Sequence, residues 1–427
     1  MSTISQIEGY RPQLRTEIAF GPALLSRGNT IYYVKDTLTQ WFYRIGMKEY
    51  FLISRMDGSR TLQEIGAEYE AEFGRRLDQT SWASLFKLLA KRQLLIDTSD
   101  VTGLAVLKQE AQKRRSLEKK GVFRWRFTLI NPDSRLENIL PWVRFAFSPI
   151  FVRIALVLIF AFEVGFFFFL HALINDAGMV LTSGTAIPIF IEFTLLTWIF
   201  YACHELAHGL ACKHFCGSVQ EMGILWRYLS LFPYCKIDDI VLCHNRWHRV
   251  YVAFAGSFMS FMMLLPVGLL WWLLPEKSAA RGLTTLLLLA INFGSLANFI
   301  PFVELDGYFM LSHALNMVEL RKDSHQLWLN GLQHALLRKR TEVLRYAHRG
   351  RTIYRIYGFC SLIYTALFIG YMIFFYFTYV SVWIGHTAAM IVLPFALLLL
   401  LVFSKPVRNW ITQKWFTGIK PQNVSSH

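Results

Sequence analysis

The sequence has few charged residues for its length, and fewer of those are acidic than basic. Asp, Glu, Lys and Arg make up 17% of its 427 residues, whereas 54% are hydrophobic and 16% aromatic. Soluble globular domains carry about 25% charged residues, so this composition excludes an ordinary soluble protein. The first thirty or so residues lack a basic flank, a long apolar core and a small-residue cleavage site, so we expect no cleavable signal peptide. Internal repeats and long low-complexity segments are absent as well.

Six apolar runs are long enough, or nearly long enough, to cross the hydrocarbon core of a bilayer, which is about 30 Å thick. They cover residues 151–174, 187–211, 250–274, 283–300, 356–383 and 387–403. We therefore predict a mainly α-helical, polytopic membrane protein with about six transmembrane helices.

The scarcity of acidic residues gives the chain a formal net charge of +15. The basic residues are concentrated in alternate loops, around residues 213–249, 321–351 and 405–420, whereas the opposite loops carry only Lys277 and Arg281. By the positive-inside rule, both termini and the basic loops lie in the cytoplasm. We attribute the basic excess to membrane topology and to contact with anionic lipid, and expect no nucleic-acid partner.

The most informative motif lies near the end of the second apolar run, where residues 204–208 read HELAH. His204 and His208 are four residues apart, so they share one face of a helix and can bind one zinc ion, while Glu205 can take a proton from water. Ionisable groups at membrane depth are costly and functional by default. The motif therefore predicts a zinc centre at the cytoplasmic end of this run.

A second motif follows the fourth apolar run, which ends at the same membrane face. Residues 298–307 read NFIPFVELDG. Pro301 and the Asp306-Gly307 pair predict that the backbone leaves the helix here. Irregular backbone at membrane depth must line a protein cavity. Asp306 is therefore a candidate third zinc ligand, and Glu304 is its rival.

With both motifs, the chain resembles the site-2 protease family of intramembrane zinc metallopeptidases over about residues 120–420. The resemblance implies one zinc ion per chain with His204, His208 and Asp306 as its ligands. It further implies Glu205 as general base and Asn298 as a substrate or oxyanion contact. A three-helix catalytic core would occupy about residues 187–315, in which residues 249–256 resemble the glycine-bearing start of a family helix. The long spacer before Asp306 resembles that of bacterial members that process peptides.

The first hundred residues carry a different pattern, typical of a small soluble domain. A strand-like stretch at residues 30–44 precedes helical periodicity at 67–73 and 78–93, and Thr61 with Glu64 forms a predicted capping box. The pattern resembles the winged-helix-like PqqD domains, which hold a precursor's leader peptide as an added strand. We divide the chain into residues 1–100 (PqqD-like recognition domain), 101–150 (basic connector and interfacial segment) and 151–427 (membrane metallopeptidase domain).

The two resemblances together imply an integral endopeptidase of the bacterial cytoplasmic membrane. Its expected substrate is a ribosomally made, post-translationally modified or bacteriocin-like precursor, cleaved near the cytoplasmic face for maturation or export. Peptide-modifying enzymes or an exporter are further expected partners. Three alternatives stay open: regulated cleavage of a membrane-anchored regulator, a non-catalytic zinc-binding leader adaptor, and a di-iron oxidase. The last requires about eight histidines, including adjacent pairs, and the sequence has no His-His pair.

Other polar residues lead to weaker expectations. His244 and His248 form a second histidine pair, which we expect to be solvated at the interface because no carboxylate is fixed beside it. The six cysteines lie almost entirely on the predicted cytoplasmic side, so we expect free thiols. Residues 123–147 mix aromatic and basic side chains, which favours amphipathic pieces lying on the lipid headgroups.

Overall fold

The computed structural model describes residues 9–97, 101–118, 120–121, 124–181, 186–227, 230–337 and 350–385, and these are mainly helical. They fall into two compact units, one reaching Tyr354 and the other beginning at Arg355. The elements of the first unit are β1 (Ile18–Phe20), β2 (Leu24–Ser26), β3 (Asn29–Asp36), β4 (Trp41–Gly46), α1 (Met47–Ile53), α2 (Leu62–Phe73), α3 (Gln79–Lys91), α4 (Val101–Glu118), β5 (Lys120–Gly121), β6 (Arg124–Ile130), α5 (Asp133–Val143), α6 (Pro149–Phe168), α7 (Leu170–Leu181), α8 (Ala186–Phe215), β7 (Glu221–Arg227), β8 (Ser230–Lys236), α9 (Arg246–Leu273), α10 (Ala279–Ala297), α11 (Asp306–Ala314) and α12 (Leu320–Leu337). The second unit is described through helix α13 (Arg351–Ile384).

Five helices among the described residues are long and apolar enough to cross a membrane, as expected for a polytopic membrane protein. They are Pro149–Phe168, Ile187–Phe215, Arg246–Leu273, Ala279–Ala297 and Arg351–Tyr379. Each of the first five predicted apolar runs overlaps one of these helices, although the first run, 151–174, extends past Phe168 into α7. The predicted sixth run, residues 387–403, lies outside the described residues.

Helices α9 and α10 are the inner helices of the first unit. In their most apolar stretches 39% and 44% of residues are buried, against 17% in α6 and 11% in α8. Phe261 and Leu264 of α9 and Leu288 of α10 belong to one apolar core cluster. Polar side chains on these inner helices can therefore be shielded from lipid.

The N-terminal region is built on an antiparallel sheet in which β3 pairs with β4 along one edge and with β1 and β2 along the other. Side chains alternate between the two faces of a strand. Val34, Tyr43 and Ile45 share a core with the helices α1 to α3. The predicted capping box is confirmed: Thr61 caps α2 and exchanges hydrogen bonds with Glu64.

The opposite face of this sheet packs against the remainder of the first unit. Lys35 lies on that face, and its Nζ is 2.6 Å from Oδ1 of Asp239, with both side chains buried. The backbone of Leu25 accepts a hydrogen bond from the N–H of Val318 at 2.9 Å and donates one to the carbonyl of Asn316 at 2.8 Å. The N-terminal region is therefore docked on the helical region through backbone contacts and a buried ion pair.

A second antiparallel sheet, in the order β5-β6-β7-β8, joins segments that are far apart in sequence. Trp125 in β6 pairs with Trp226 in β7, about a hundred residues later. The first part of residues 123–147, which we expected to form amphipathic pieces on the lipid headgroups, is thus a strand, and its place at the headgroups stays a prediction. Basic and aromatic residues alternate from Arg124 to Phe127, and this two-residue period is typical of a strand. The strand pairs with β7.

Candidate metal centre

Three potential metal ligands converge at the C-terminal half of helix α8. The rings of His204 and His208 are buried, and their Nε2 atoms are 3.2 Å apart. The carboxylate of Asp306 places one oxygen 3.2 Å from Nε2 of His204 and the other 3.4 Å from Nε2 of His208. This group of His204, His208 and Asp306 can hold a metal ion.

Hydrogen bonds on the far side of each ring indicate that both Nε2 atoms carry lone pairs. Nδ1 of His208 lies 2.7 Å from the carbonyl of Val252, which only accepts, so the Nδ1 proton belongs to this bond. Nδ1 of His204 lies 3.0 Å from Oγ of Ser260, whose own proton is directed to the carbonyl of Gly256 at 3.2 Å. Two lone pairs and a carboxylate thus face one another, an arrangement that a cation would stabilise.

The separations between these donor atoms are close to those around a single tetrahedral metal ion. Ligand atoms about 2.0–2.1 Å from a tetrahedral centre lie about 3.3–3.4 Å from one another. The two Nε2 atoms are 3.2 Å apart, and each faces a different oxygen of the Asp306 carboxylate, Oδ2 at 3.2 Å from His204 and Oδ1 at 3.4 Å from His208. Two histidines and a carboxylate leave the fourth position open, as in catalytic zinc sites.

Helix α9 supports all three candidate ligands from one face. Besides Ser260 and the Val252 carbonyl, it supplies Ser257, whose Oγ donates a hydrogen bond to Oδ2 of Asp306 at 2.9 Å. Neither Ser257 nor Ser260 was predicted from the sequence. The available signal was two serines close to Gly256 in an otherwise apolar run.

Asp306 reaches the histidines because the backbone leaves the helix where the sequence predicts it. Helix α10 ends at Ala297, and α11 begins at Asp306 itself. The N–H of Gly307 donates to the carbonyl of Asn298 at 2.6 Å, and a Cβ on Gly307 would lie 2.3 Å from the carbonyl oxygen of Phe299. Glycine is therefore required at this close approach. Glu304, the rival ligand, is exposed and lies outside the group of three.

Glu205 is held by the edge strand β8. Its Oε2 accepts a hydrogen bond from the backbone N–H of Cys235 at 2.9 Å. Pro233, two residues earlier, has no N–H to offer on that same edge of the strand. Burial, followed by the charge of Glu205, raises the pKa of the Cys235 thiol, so this thiol stays protonated at neutral pH.

A cavity of about 810 Å³ connects this centre with the N-terminal sheet. Glu205, His208 and Asp306 line it on one side. Tyr33 and Phe42, from the docked face of the sheet, line it on the other. The N-terminal region is thus a wall of the chamber that contains the candidate metal centre, a relationship that the sequence did not indicate.

Asn298 and His248 are two further residues that the sequence singled out, and the structure describes the surroundings of both. Asn298 contributes its backbone carbonyl to Gly307 and does not line the cavity, so its catalytic role stays a prediction. The ring of His248 packs on Phe215 with centroids 4.8 Å apart.

The expectation of free thiols is wrong for one pair of cysteines. Cys216 and Cys243 form a disulfide, whereas Cys203, Cys212, Cys235 and Cys360 are free. The end of α8 and the segment before α9 bring the bonded pair to a Cα separation of 4.8 Å. A separation of 27 residues in the sequence does not reveal that proximity.

Comparisons with protein-family models, with curated proteins and with solved structures find no match to this chain. The geometry of the centre therefore has to support any functional assignment by itself.

Proposed function

We propose that this chain is a membrane zinc endopeptidase, chemically similar to site-2 proteases, that cleaves a peptide precursor. One observation carries the proposal: His204, His208 and Asp306 converge beside a cavity that His208, Asp306 and a separately held carboxylate, Glu205, line. Two histidines with a carboxylate form the ligand set of several zinc peptidases, and a glutamate beside the ion serves as their base.

In this proposal each residue has a distinct task. His204, His208 and Asp306 would hold the ion, which when bound polarises a carbonyl group and makes water more acidic. Glu205 takes a proton from the attacking water and later gives it to the leaving amine. The N–H of Cys235 keeps the Glu205 carboxylate oriented for both transfers.

The cavity walls favour an extended peptide as substrate. A helical peptide has its carbonyls engaged in its own hydrogen bonds, so the scissile region must unfold locally before attack. Among the described strands β4 pairs with β3 alone, which leaves an edge to which a leader peptide could add. Phe42 lies in β4 and also lines the cavity, so a bound leader would direct the following residues towards Glu205.

The test uses the full chain in lipid nanodiscs, loaded with zinc and incubated with a library of proteome-derived peptides. Mass spectrometry would record new peptide termini for the wild type, for Glu205→Gln and for the matched control Glu304→Gln, which alters an exposed carboxylate. We expect the wild type and the control to give the same new termini and Glu205→Gln to give none. Identical products from the wild type and Glu205→Gln would refute the assigned base and leave the adaptor function.

A second experiment tests substrate recognition by the N-terminal sheet. A photoreactive phenylalanine analogue at position 42, in the Glu205→Gln background, should crosslink to peptides that the wild type cleaves. The control places the analogue at position 88, where Leu88 is exposed on α3 and does not line the cavity. Equal crosslinking at both positions would contradict a role for the sheet in recognition.

A further inference from the structure

A buried arginine without a carboxylate partner lines the same cavity. Arg249, in the first turn of α9, is 1% exposed. Nη1 donates to the carbonyl of Cys243 at 3.0 Å, Nη2 donates to Oδ1 of Asn316, and Nε has no hydrogen-bond partner. Among the described residues, no Asp or Glu forms an ion pair with it. A buried cation without a counter-charge is energetically unfavourable unless an anion binds to it.

The other acidic groups of the cavity are engaged elsewhere. Asp238 pairs with Lys236 at 3.1 Å, and Glu319 pairs with Lys322 at 2.8 Å. Glu205 accepts from Cys235, and the carboxylate of Asp306 faces the two histidines. None of these carboxylates is placed to neutralise the arginine.

The histidine beside the arginine does not supply a counter-charge either. Burial, together with the charge of Arg249, lowers the pKa of His313 to about 4. His313 is therefore neutral at pH 7, and it also lines the cavity. The guanidinium charge is left for a ligand to balance.

Helix geometry gives the distance along α9 between Arg249 and the candidate metal centre. Seven residues, or about two turns and 10.5 Å of helix axis, separate it from Gly256, which lies against both histidine rings. Ala253 lies between them on the same helix face and lines the cavity too. An extended peptide advances about 3.3 Å per residue, so about three residues bridge this distance.

We propose that Arg249 binds a carboxylate of the substrate, about three residues from the scissile bond. This inference rests on the proposed peptidase function. The planar guanidinium group matches a carboxylate with paired N–H donors, which a lysine cannot reproduce. Two sources have this chemistry: an Asp or Glu side chain within the peptide, and the C-terminal carboxylate of a peptide that ends there.

The test compares matched peptides that differ only in this carboxylate. One set of C-terminally amidated peptides carries Glu or Gln three residues to either side of a cleaved bond found in the wild-type library. A second set ends three residues after that bond as a free acid or an amide. We expect wild-type kcat/KM to favour one of the charged peptides by about 10- to 100-fold over its neutral counterpart. The set that shows this preference identifies the source.

The variants separate recognition from a structural role of Arg249. Arg249→Gln should reduce the charged-to-neutral ratio to about one, and Arg249→Lys, which keeps the charge, should retain part of it. Lys236→Gln, at a cavity cation already paired with Asp238, should keep the wild-type ratio. If Arg249→Gln slows the charged and neutral peptides by the same factor, the arginine only ties α9 to its neighbours and the proposal is wrong.

A binding experiment distinguishes failure of this inference from failure of the proposed peptidase function. If the wild type cleaves no peptide, binding of acetyl-Leu-Leu-Glu-amide and acetyl-Leu-Leu-Gln-amide, and of the free acid and amide forms of acetyl-Leu-Leu-Leu, is measured by thermophoresis on the full chain. A preference for a charged member that disappears in Arg249→Gln supports the anion site without any hydrolysis. Equal binding within both pairs by the wild-type chain would overturn it.

Discussion

The backbone of Gly256 lies directly against the ring of His208. A Cβ at position 256 would be 2.3 Å from Nε2 of His208 and 2.5 Å from Nε2 of His204, the two atoms that face the candidate ion. Such distances are far below van der Waals contact, so even a methyl group must displace the rings. Helix α9 can therefore approach the centre only because it carries glycine at this position.

Gly256→Ala should lower zinc affinity by about 100-fold or more, because the methyl group occupies the space in which the two Nε2 atoms converge. The measurement is a competition titration with a fluorescent chelator. Gly294→Ala is the matched control, since a Cβ there meets no atom within 4 Å and the residue also lies in a membrane helix. Equal affinities in the two variants would contradict the close approach of α9.

The hydroxyl of Ser260 should matter to metal affinity even though it does not contact the ion. Ser260→Ala removes the partner of Nδ1 of His204, which fixes the ring's orientation and tautomer. We expect a fall in zinc affinity of about 10- to 100-fold. Ser260→Thr keeps a hydroxyl group and should restore most of it. An unchanged affinity in Ser260→Ala would show that the helix alone orients the ring.

The backbone N–H of Cys235 should support catalysis without supporting metal binding. Cys235→Pro removes the backbone N–H that donates to Glu205, whereas Cys235→Ala keeps this N–H. Both variants lack the thiol. We expect kcat to fall about 10- to 100-fold further in the proline variant than in the alanine variant. Zinc content should be equal in the two. A similar kcat in both variants would remove this N–H from the mechanism.

The buried pair of Lys35 and Asp239 should hold the N-terminal region in place. Lys35→Met leaves the Asp239 carboxylate buried without its cation, which costs about 3–5 kcal/mol. The expected result is faster hydrogen exchange across β3, measured by mass spectrometry on the full chain. Arg60→Met breaks only exposed ion pairs with Asp57 and Glu68, so its cost should be about 1 kcal/mol or less. Equal protection of β3 in the two variants would contradict a docked domain.

Local patterns predicted the parts of this structure that a single segment determines. The apolar runs gave the described membrane helices, Thr61 with Glu64 gave the start of α2, and Pro301 with Asp306-Gly307 marked the break after α10. The four-residue spacing of His204 and His208 predicted that both lie on one face of a helix, because residues four apart are neighbours on the helix surface.

Contacts between distant segments could not be derived in the same way. The pairing of β6 with β7, the hydrogen bond from Cys235 to Glu205 and the ion pair of Lys35 with Asp239 depend on tertiary packing. Periodicity shows which face of an element is apolar, but it does not show which partner covers that face. The role of the N-terminal sheet as a cavity wall belongs to this second class.

The zinc content of purified protein tests the central claim most directly. Wild type, Asp306→Ala and Glu304→Ala would each be dialysed against zinc buffered at a low free concentration and analysed by inductively coupled plasma mass spectrometry. The arrangement of His204, His208 and Asp306 predicts one zinc ion per chain in the wild type and in Glu304→Ala, and a large loss in Asp306→Ala. Two iron ions per chain, or retention of zinc in Asp306→Ala with its loss in Glu304→Ala, would contradict the account.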